Sequence, residues 1–353
     1  MRVYFITSGQ QGCFNVRCLF PLMENGWDGD RTSFLPKEEK TPEQKKDGAV
    51  YADIVVFHRP EHPDKLKLAR ALKELGKKIV FDNDDTYKDS EQVKLNKYMN
   101  KERVERGLGR INESVDQFIR EADLVTASTE FLAKEYRILN KNVVVLPNCV
   151  DPFLFDEPLR NEEDVVRIGI TGSVGLTADL DVLEPIVRLY ENDPRVRLVF
   201  FSLYADRTKM KDEIYEEEYK LMESMNVEWH GLVDTHQYYE KLNSLKLDIQ
   251  IIPRKNTYFN RCKSNLKFLE SSMLEIPVVA QSFSTGDSPY QGKDEPYLLL
   301  ADTVEEWKLQ IERLIADKEL RRDMGCKARE YVEQEYGIEN NAHKWVEAYN
   351  TII

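Results

Sequence analysis

The chain has 353 residues, 41% apolar and 32% charged, and its 63 acidic against 50 basic side chains leave a formal charge of −13 at pH 7. That length suits two cores better than one, and the lack of any apolar run of about 18 residues excludes a membrane-spanning helix from the pattern. The acidic excess argues against a nucleic-acid backbone as a general partner, while local basic patches remain free to bind phosphates or an anionic membrane surface.

The opening "MRVYFITSG" reads as a strand at once, and its short apolar stretch without a small-residue cleavage site does not read as a signal peptide. Five cysteines (Cys13, Cys18, Cys149, Cys262, Cys326) are odd in number and form no C-x-x-C pair. They predict free thiols in a reducing cytosol and no zinc site.

After "RVYFIT" comes a loop with Gly9 and Gly12, then the apolar "CLFPLM". The loop lacks G-x-G-x-x-G and fails as a dinucleotide fingerprint, so an ordinary strand–helix turn stays open for it. "ADIVVFHR" then predicts a strand, "PDKLKLARALKELG" a helix and "KKIVFDN" a strand. The segment 101–122 predicts a helix, "DLVTAS" a strand, "TEFLAKEYRIL" a helix with Thr129 as N-cap, and "NVVVLPN" a strand. Repeated units of this kind imply a parallel sheet covered by helices. "CVDPFLFDEPLRNEEDVV", with two prolines and an acidic run, reads as a linker.

A second series starts at "VRIGITGSVG" and runs through "VRLVFFS", a charged helix near 208–225, "NVEWHG", the helical "HQYYEKLNSL", the strand "LDIQIIP", and "PYLLLA" to C-terminal helices. The predicted class is α/β, with two Rossmann-like domains facing each other across a cleft and ligands beyond the carboxyl ends of the strands. The boundaries drawn are 1–155, 156–335, and a C-terminal helix, 336–353, packing back on the first domain. The amphipathic end with Trp345 lacks the Lys/Arg-rich polar face of a membrane anchor.

Several strand ends carry candidate residues. His58 and Arg59 close "DIVVFHRP", where Arg59 is placed to hold an anionic acceptor and His58 to line the cleft or simply to be a bonded loop histidine. "FDNDDTY" brings Asp82, Asp84 and Asp85 together, and three acids so close repel one another. Capping, contact with a reacting hydroxyl and metal binding are all open for them. Gly172, Ser173 and Gly175 would let a phosphate or sugar approach the backbone. His230 lies at a loop that would pack near a base or form a plain turn. The charge-rich 85–120 segment reads as a solvated helix or an acceptor flap.

The most informative stretch is "FNRCKSNLKFLESSMLEIPVVA", 259–280. Lys263, Lys267 and Glu270 follow at i, i+4 and i+7 and would share one face of a helix containing all three. Ser264 or Asn265 is the expected N-cap, with Leu266, Leu269 and Met273 on the buried face. Arg261, Lys263 and Lys267 near a helix N-terminus oppose its dipole, which a bound diphosphate would resolve. Glu270 would then accept from ribose hydroxyls. The plainer reading is a solvated charged face.

"KSNLKFLESSMLEIPVVA" resembles the nucleotide-sugar donor segment of family 4-type glycosyltransferases of the GT-B fold, and "NTYFNR" is similar to the loop before it. "ADIVVFHRP", "KKIVFDNDDTY", "ADLVTASTEFLAKEY" and "VVVLPNCVDP" follow in the family's order, so the resemblance covers most of the chain. It implies transfer of a sugar from a UDP- or GDP-sugar to a hydroxyl of a glycan or lipid-linked acceptor, with retained configuration and no metal or permanent cofactor. It implies a donor site of Gly12, Arg17, Gly172, Ser173, Arg254, Asn260, Arg261, Lys263, Ser264, Asn265, Lys267 and Glu270. Asp84, Asp85, His58 and Arg59 are the implied catalytic set on the acceptor side. The implied setting is the cytoplasm or the inner membrane face, with peripheral membrane contact and no nucleic acid. An epimerase of the same fold and a non-catalytic nucleotide-sugar binder are the rival readings.

Two positions depart from the family pattern. Many members carry Glu-x7-Glu, and the partner of Glu270 is here Cys262. The glycine before Ile-Pro is Glu275, so a left-handed helix end must use another cap or bear strain.

Overall fold

The computed structural model describes residues 1–7, 12–27, 48–60, 62–87, 112–172, 179–202, 216–293 and 295–353. Strands β1 (Val3–Thr7), β2 (Ile54–His58), β3 (Lys78–Asn83), β4 (Leu124–Ala127) and β5 (Val143–Val145) pair in that order into a five-stranded parallel sheet. The apolar runs of β2 and β4 are buried along their whole length, as a sheet covered on both faces requires. The register sets Thr7 beside His58 and His58 beside Asp82 at the carboxyl edge.

Helix α1 (12–24) contains a π-helical turn, Asn15–Leu19. In α2 (Pro63–Glu74) a proline opens the first turn, and Leu66, Ala69 and Leu72 bury one stripe. Helix α3 (112–121) and α4 (Glu130–Arg137) complete this half, and Thr129 caps α4 by accepting from Leu132 N–H, as expected. The rest of the predicted helix, 101–111, lies outside the described residues, as do most of the 85–120 segment and Gly9.

The second sheet has six parallel strands: β6 (Val166–Thr171), β7 (Val196–Phe201), β8 (Glu228–His230), β9 (Ile249–Ile252), β10 (Val278–Gln281) and β11 (Leu299–Ala301). Their order is β11-β10-β9-β6-β7-β8. The order reverses between β6 and β9, where a doubly wound sheet opens its crevice at the strands' carboxyl ends. Around it lie α5 (Leu180–Tyr190), α6 (Glu216–Glu223), α7 (Tyr238–Ser244), α8 (Tyr258–Cys262), α9 (Leu266–Met273), α10 (Val304–Ala316) and α11 (Lys318–Tyr336).

The chain then returns through α12 (Ile338–Asn341) to α13 (His343–Asn350). Trp345 and Tyr349 of α13 pack in one core with Val3, Phe5, Ile54 and Val80, filling a face of the first sheet. The outgoing and returning segments are tied together: Val150 N–H donates to Tyr336 carbonyl, and Ile338 N–H donates to Val150 carbonyl.

The donor-like stretch is not one helix. It is α8, a break at Lys263 (φ −64°, ψ 154°), and α9. Lys263 therefore does not share a helical face with Lys267 and Glu270. The reason lies in the two cores that the stretch serves. Cys262 is buried among first-half residues, while Phe268, Leu269 and Met273 are buried in the second. A continuous helix has no bend with which to reach both.

Asn265 takes the N-cap position of α9 but makes no side-chain cap bond. At the other end, Glu275 N–H donates to Ser272 carbonyl and Ile276 N–H to Ser271 carbonyl. This is a Schellman ending with Glu275 in the left-handed region at φ 53°. The strain alternative is the one observed. Arg160 and Arg329 pair with the Glu275 carboxylate and hold it there.

Candidate functional site

The carboxyl edges of both sheets meet around α8 and α9. From the first half, β2 presents His58 and Arg59, and the turn after β3 presents Asp84 and Asp85. Arg59 sits at φ 50°, a left-handed position costly for a side-chain-bearing residue. That turn directs its guanidinium to both acids: Nε lies 2.6 Å from Asp84 and a terminal nitrogen 2.7 Å from Asp85. Burial pushes the Asp84 carboxyl up, but the Arg59 charge, together with the bonds and charge that His58 and Arg59 bring, outweighs it and holds the group well below the usual carboxylate range. His58 is buried, with Nδ1 3.1 Å from the Thr7 hydroxyl. Among the described residues its Nε2 has no hydrogen-bond partner, and Asp84 Oδ1 stands 3.5 Å away.

The three clustered acids thus do not face one another bare. Asp82 goes inward, paired to Arg17 at 2.6 Å and accepting from Thr126 at 2.6 Å. The expectation that Arg17 contacts donor or acceptor is overturned by this placement: its side chain is fully buried. It also donates to Leu146 carbonyl and to Asn148, with Trp345 against it. No local signal marks this pairing, because Asp82 lies 65 positions away. Gly12 opens α1 beside Cys13, whose sulfur accepts from Arg59 at 3.4 Å.

From the second half, Lys263 reaches across to Asp85, 3.1 Å away. Further contacts join the halves here. Thr129 hydroxyl donates to Cys262 carbonyl, Tyr258 hydroxyl to Glu135, and Asn148 to Ser264. Phe131 packs on Tyr258 with ring centres 5.6 Å apart. Cys262, standing where an acid was absent, is an interface residue.

The remaining expected cations are each engaged by a carboxylate. Arg254 binds Asp179 at 2.8 Å, and Arg261 lies 3.3 Å from Asp287. Lys267 lies 3.0 Å from Glu270 and donates to Tyr238 hydroxyl at 2.6 Å. Burial works against the Lys267 charge, yet Glu270 and Tyr238 together keep it above the ordinary lysine value.

Two residues that sequence reasoning missed organise this side. Asp179 is buried and gathers Arg254, the Lys255 N–H and the Asn260 amide. Tyr238 ties Lys267 to Glu270. Neither has a local signal, since their partners come from other loops. Gly172, at the end of β6, donates its N–H to Phe201 carbonyl. Ser173 and Gly175 lie outside the described residues. His230, at the end of β8, is bonded to Glu228 at 2.7 Å.

Residues 186–347 match the family model described as glycosyl transferase-like. Comparison with curated protein sequences gives no match. Among solved structures, the fold is similar to Anabaena HepE in complex with UDP-glucose, at 12% identity and a TM-score of 0.66 over 99% of each chain. It is similar to sucrose-phosphate synthase from Thermosynechococcus elongatus at 15% identity and a TM-score of 0.63, covering 99% of this chain and 98% of that one. A S. aureus TarM mutant in complex with fondaparinux, α-GlcNAc-glycerol and UDP gives 16% identity and a TM-score of 0.58 over 84% of this chain. This chain spans about half the length of TarM, 55%.

Proposed function

We propose, for a chain that has the GT-B fold and whose residues 186–347 match the glycosyl transferase-like family model, that it moves a sugar from a nucleoside-diphosphate sugar to an acceptor hydroxyl. The observation that carries this reading is the meeting of a donor-side cation with an acceptor-side acid, Lys263 with Asp85, at 3.1 Å between the two carboxyl edges. Residues 1–155 are the acceptor side, 156–335 the donor side, and 336–353 the strap that returns to the first.

In this reading the donor diphosphate lies at the break before α9, where Lys263 and the free N–H groups of the helix start neutralise it. Arg254 and Arg261 border that place. Glu270 holds the ribose. As the bond from the anomeric carbon to the phosphate oxygen breaks, negative charge grows on the diphosphate and positive charge on the sugar. Fixed cations in a closed cleft favour that distribution without reorganising. The acceptor hydroxyl lies on the Asp84–Asp85 side of the cleft, where an ionised carboxylate can only accept its proton. Pairing of Asp84 and Asp85 with Arg59 and Lys263 supports neutralisation by cations rather than by a metal. Retention of configuration and a glycan or lipid-linked acceptor complete the reading.

The test is calorimetry with UDP, GDP, CDP, ADP and dTDP and their sugars, with and without magnesium, followed by product analysis with hydroxyl acceptors. UDP is the first to try, given its presence in the HepE and TarM complexes. Metal-independent binding lost in Lys263→Ala, together with transfer of the sugar, supports the reading. Binding without transfer to any acceptor supports a non-catalytic binder, and no binding removes the donor site.

A further inference from the structure

Glu270 is bonded on one side only. Lys267 Nζ and Tyr238 hydroxyl both go to its Oε2, at 3.0 and 3.4 Å. Oε1 has no hydrogen bond among the described residues, yet it is not among the sealed polar atoms that lack a partner, so some of its surface stays accessible. The carboxylate is otherwise almost fully buried. A buried carboxylate fixed through one oxygen presents the other in a set direction.

Tyr238 is itself immobilised. Its ring stacks on Phe201, the last residue of β7, with centres 5.3 Å apart and planes 17° from parallel. Tyr239 meets it edge-on at 5.5 Å. Burial, and then the Glu270 charge, push its phenol up to about 12, so it stays a neutral donor.

We infer that Tyr238, together with Lys267, is a positioning residue that fixes Glu270 so that its free oxygen reads the ribose hydroxyls. The site thereby selects ribonucleoside over 2′-deoxyribonucleoside diphosphates. This rests on the donor-site reading above. Lys267 then acts through Glu270, and Lys263 is left as the cation nearest the diphosphate. Removing the phenol hydroxyl loosens the carboxylate without disturbing the aromatic stack.

The experiment measures Kd by calorimetry for UDP, GDP, 2′-deoxy-UDP and 2′-deoxy-GDP in the wild-type protein and in Tyr238→Phe, with the melting temperature of each. The wild type is expected to prefer the ribose form. In Tyr238→Phe the ribonucleotide weakens roughly tenfold, the loss of a hydrogen bond to a charged group. The 2′-deoxy form changes little, and the preference collapses at an unchanged melting temperature. Equal weakening of both forms, or a preserved preference, overturns the positioning role. A wild type that binds without ribose preference overturns this inference while leaving the donor site standing. A wild type that binds none of the four overturns both.

Discussion

Lys263 and Asp85 meet across the cleft in an ion pair of 3.1 Å, each side chain about a quarter exposed. A diphosphate entering at Lys263 must take the ammonium from Asp85, which keeps Arg59 as its other partner. In the proposed reading the donor cation and the acceptor-side acid are therefore in competition until the donor arrives.

Replacing Asp85 with Asn removes the competitor. Binding of the nucleoside diphosphate should tighten by about threefold to fivefold, the scale of a partly exposed pair, while sugar transfer falls. Calorimetry and single-turnover rates separate the two effects. Lys263→Ala should lower kcat/KM by about 2–4 kcal/mol of transition-state stabilisation with an unchanged melting temperature, by analogy with other fixed charge-stabilising donors. An unchanged rate would remove Lys263 from the site.

Arg17 and Asp82 form a fully buried pair. Arg17→Met should cost about 3–5 kcal/mol in urea unfolding, because Asp82 is left charged and unpaired. The double variant Arg17→Met/Asp82→Leu should regain much of this. A mild single variant would mean that water or a neighbour replaces the guanidinium.

Glu228 is held down from its usual 4.5 to about 2, chiefly by its bonds to Arg167 and then to His230. A depressed carboxylate contributes stability that is full above its unfolded value and lost as pH falls through the folded one. The difference in stability between wild type and Glu228→Gln should be about 1 kcal/mol at pH 6, after allowance for partial exposure. It should shrink between pH 4.5 and pH 2. Denaturant melts at several pH values read this, and a difference that persists at pH 2 would refute it.

A Cβ on Gly325 would lie 2.1 Å from Glu275 carbonyl oxygen, a backbone atom. Gly325→Ala should therefore destabilise by about 1–3 kcal/mol through forced backbone shift. Glu275→Gly should change stability little, since relief of the left-handed strain offsets the lost pairs with Arg160 and Arg329. Thermal melts of both variants test this asymmetry.

The parallel sheets were readable because "DIVVFH", "KIVFDN" and "IQIIP" are apolar runs buried on both faces, a local signal. Thr129 as a cap was readable for the same reason. What stayed hidden depends on distance in the chain. The break at Lys263 follows from Cys262 and Phe268 belonging to different cores, which no helical periodicity reports. Arg17 looked like a loop cation, and only the fold shows that Asp82 and Leu146 surround it. Lys267 looked like a phosphate ligand because Tyr238, 29 positions earlier, is silent in the pattern. Glu275 was legible in part: its departure from glycine left another cap or strain as the alternatives, and the arginines that hold it became visible only in three dimensions.

The docking of α8 on α4 sets how the cleft can move. Through Cys262, Tyr258 and Phe131 that short helix rides with the first sheet, although the chain reaches it from β9 of the second. Rotation of one half against the other must then be taken up on both sides of α8, by the loop 253–257 and by the break at 263–265. Lys263 sits on one of these pivots rather than at the end of a lever. In the proposed reading, movement at these joints would part Glu270 on α9 from Lys263, and so part the group that holds the ribose from the cation at the diphosphate.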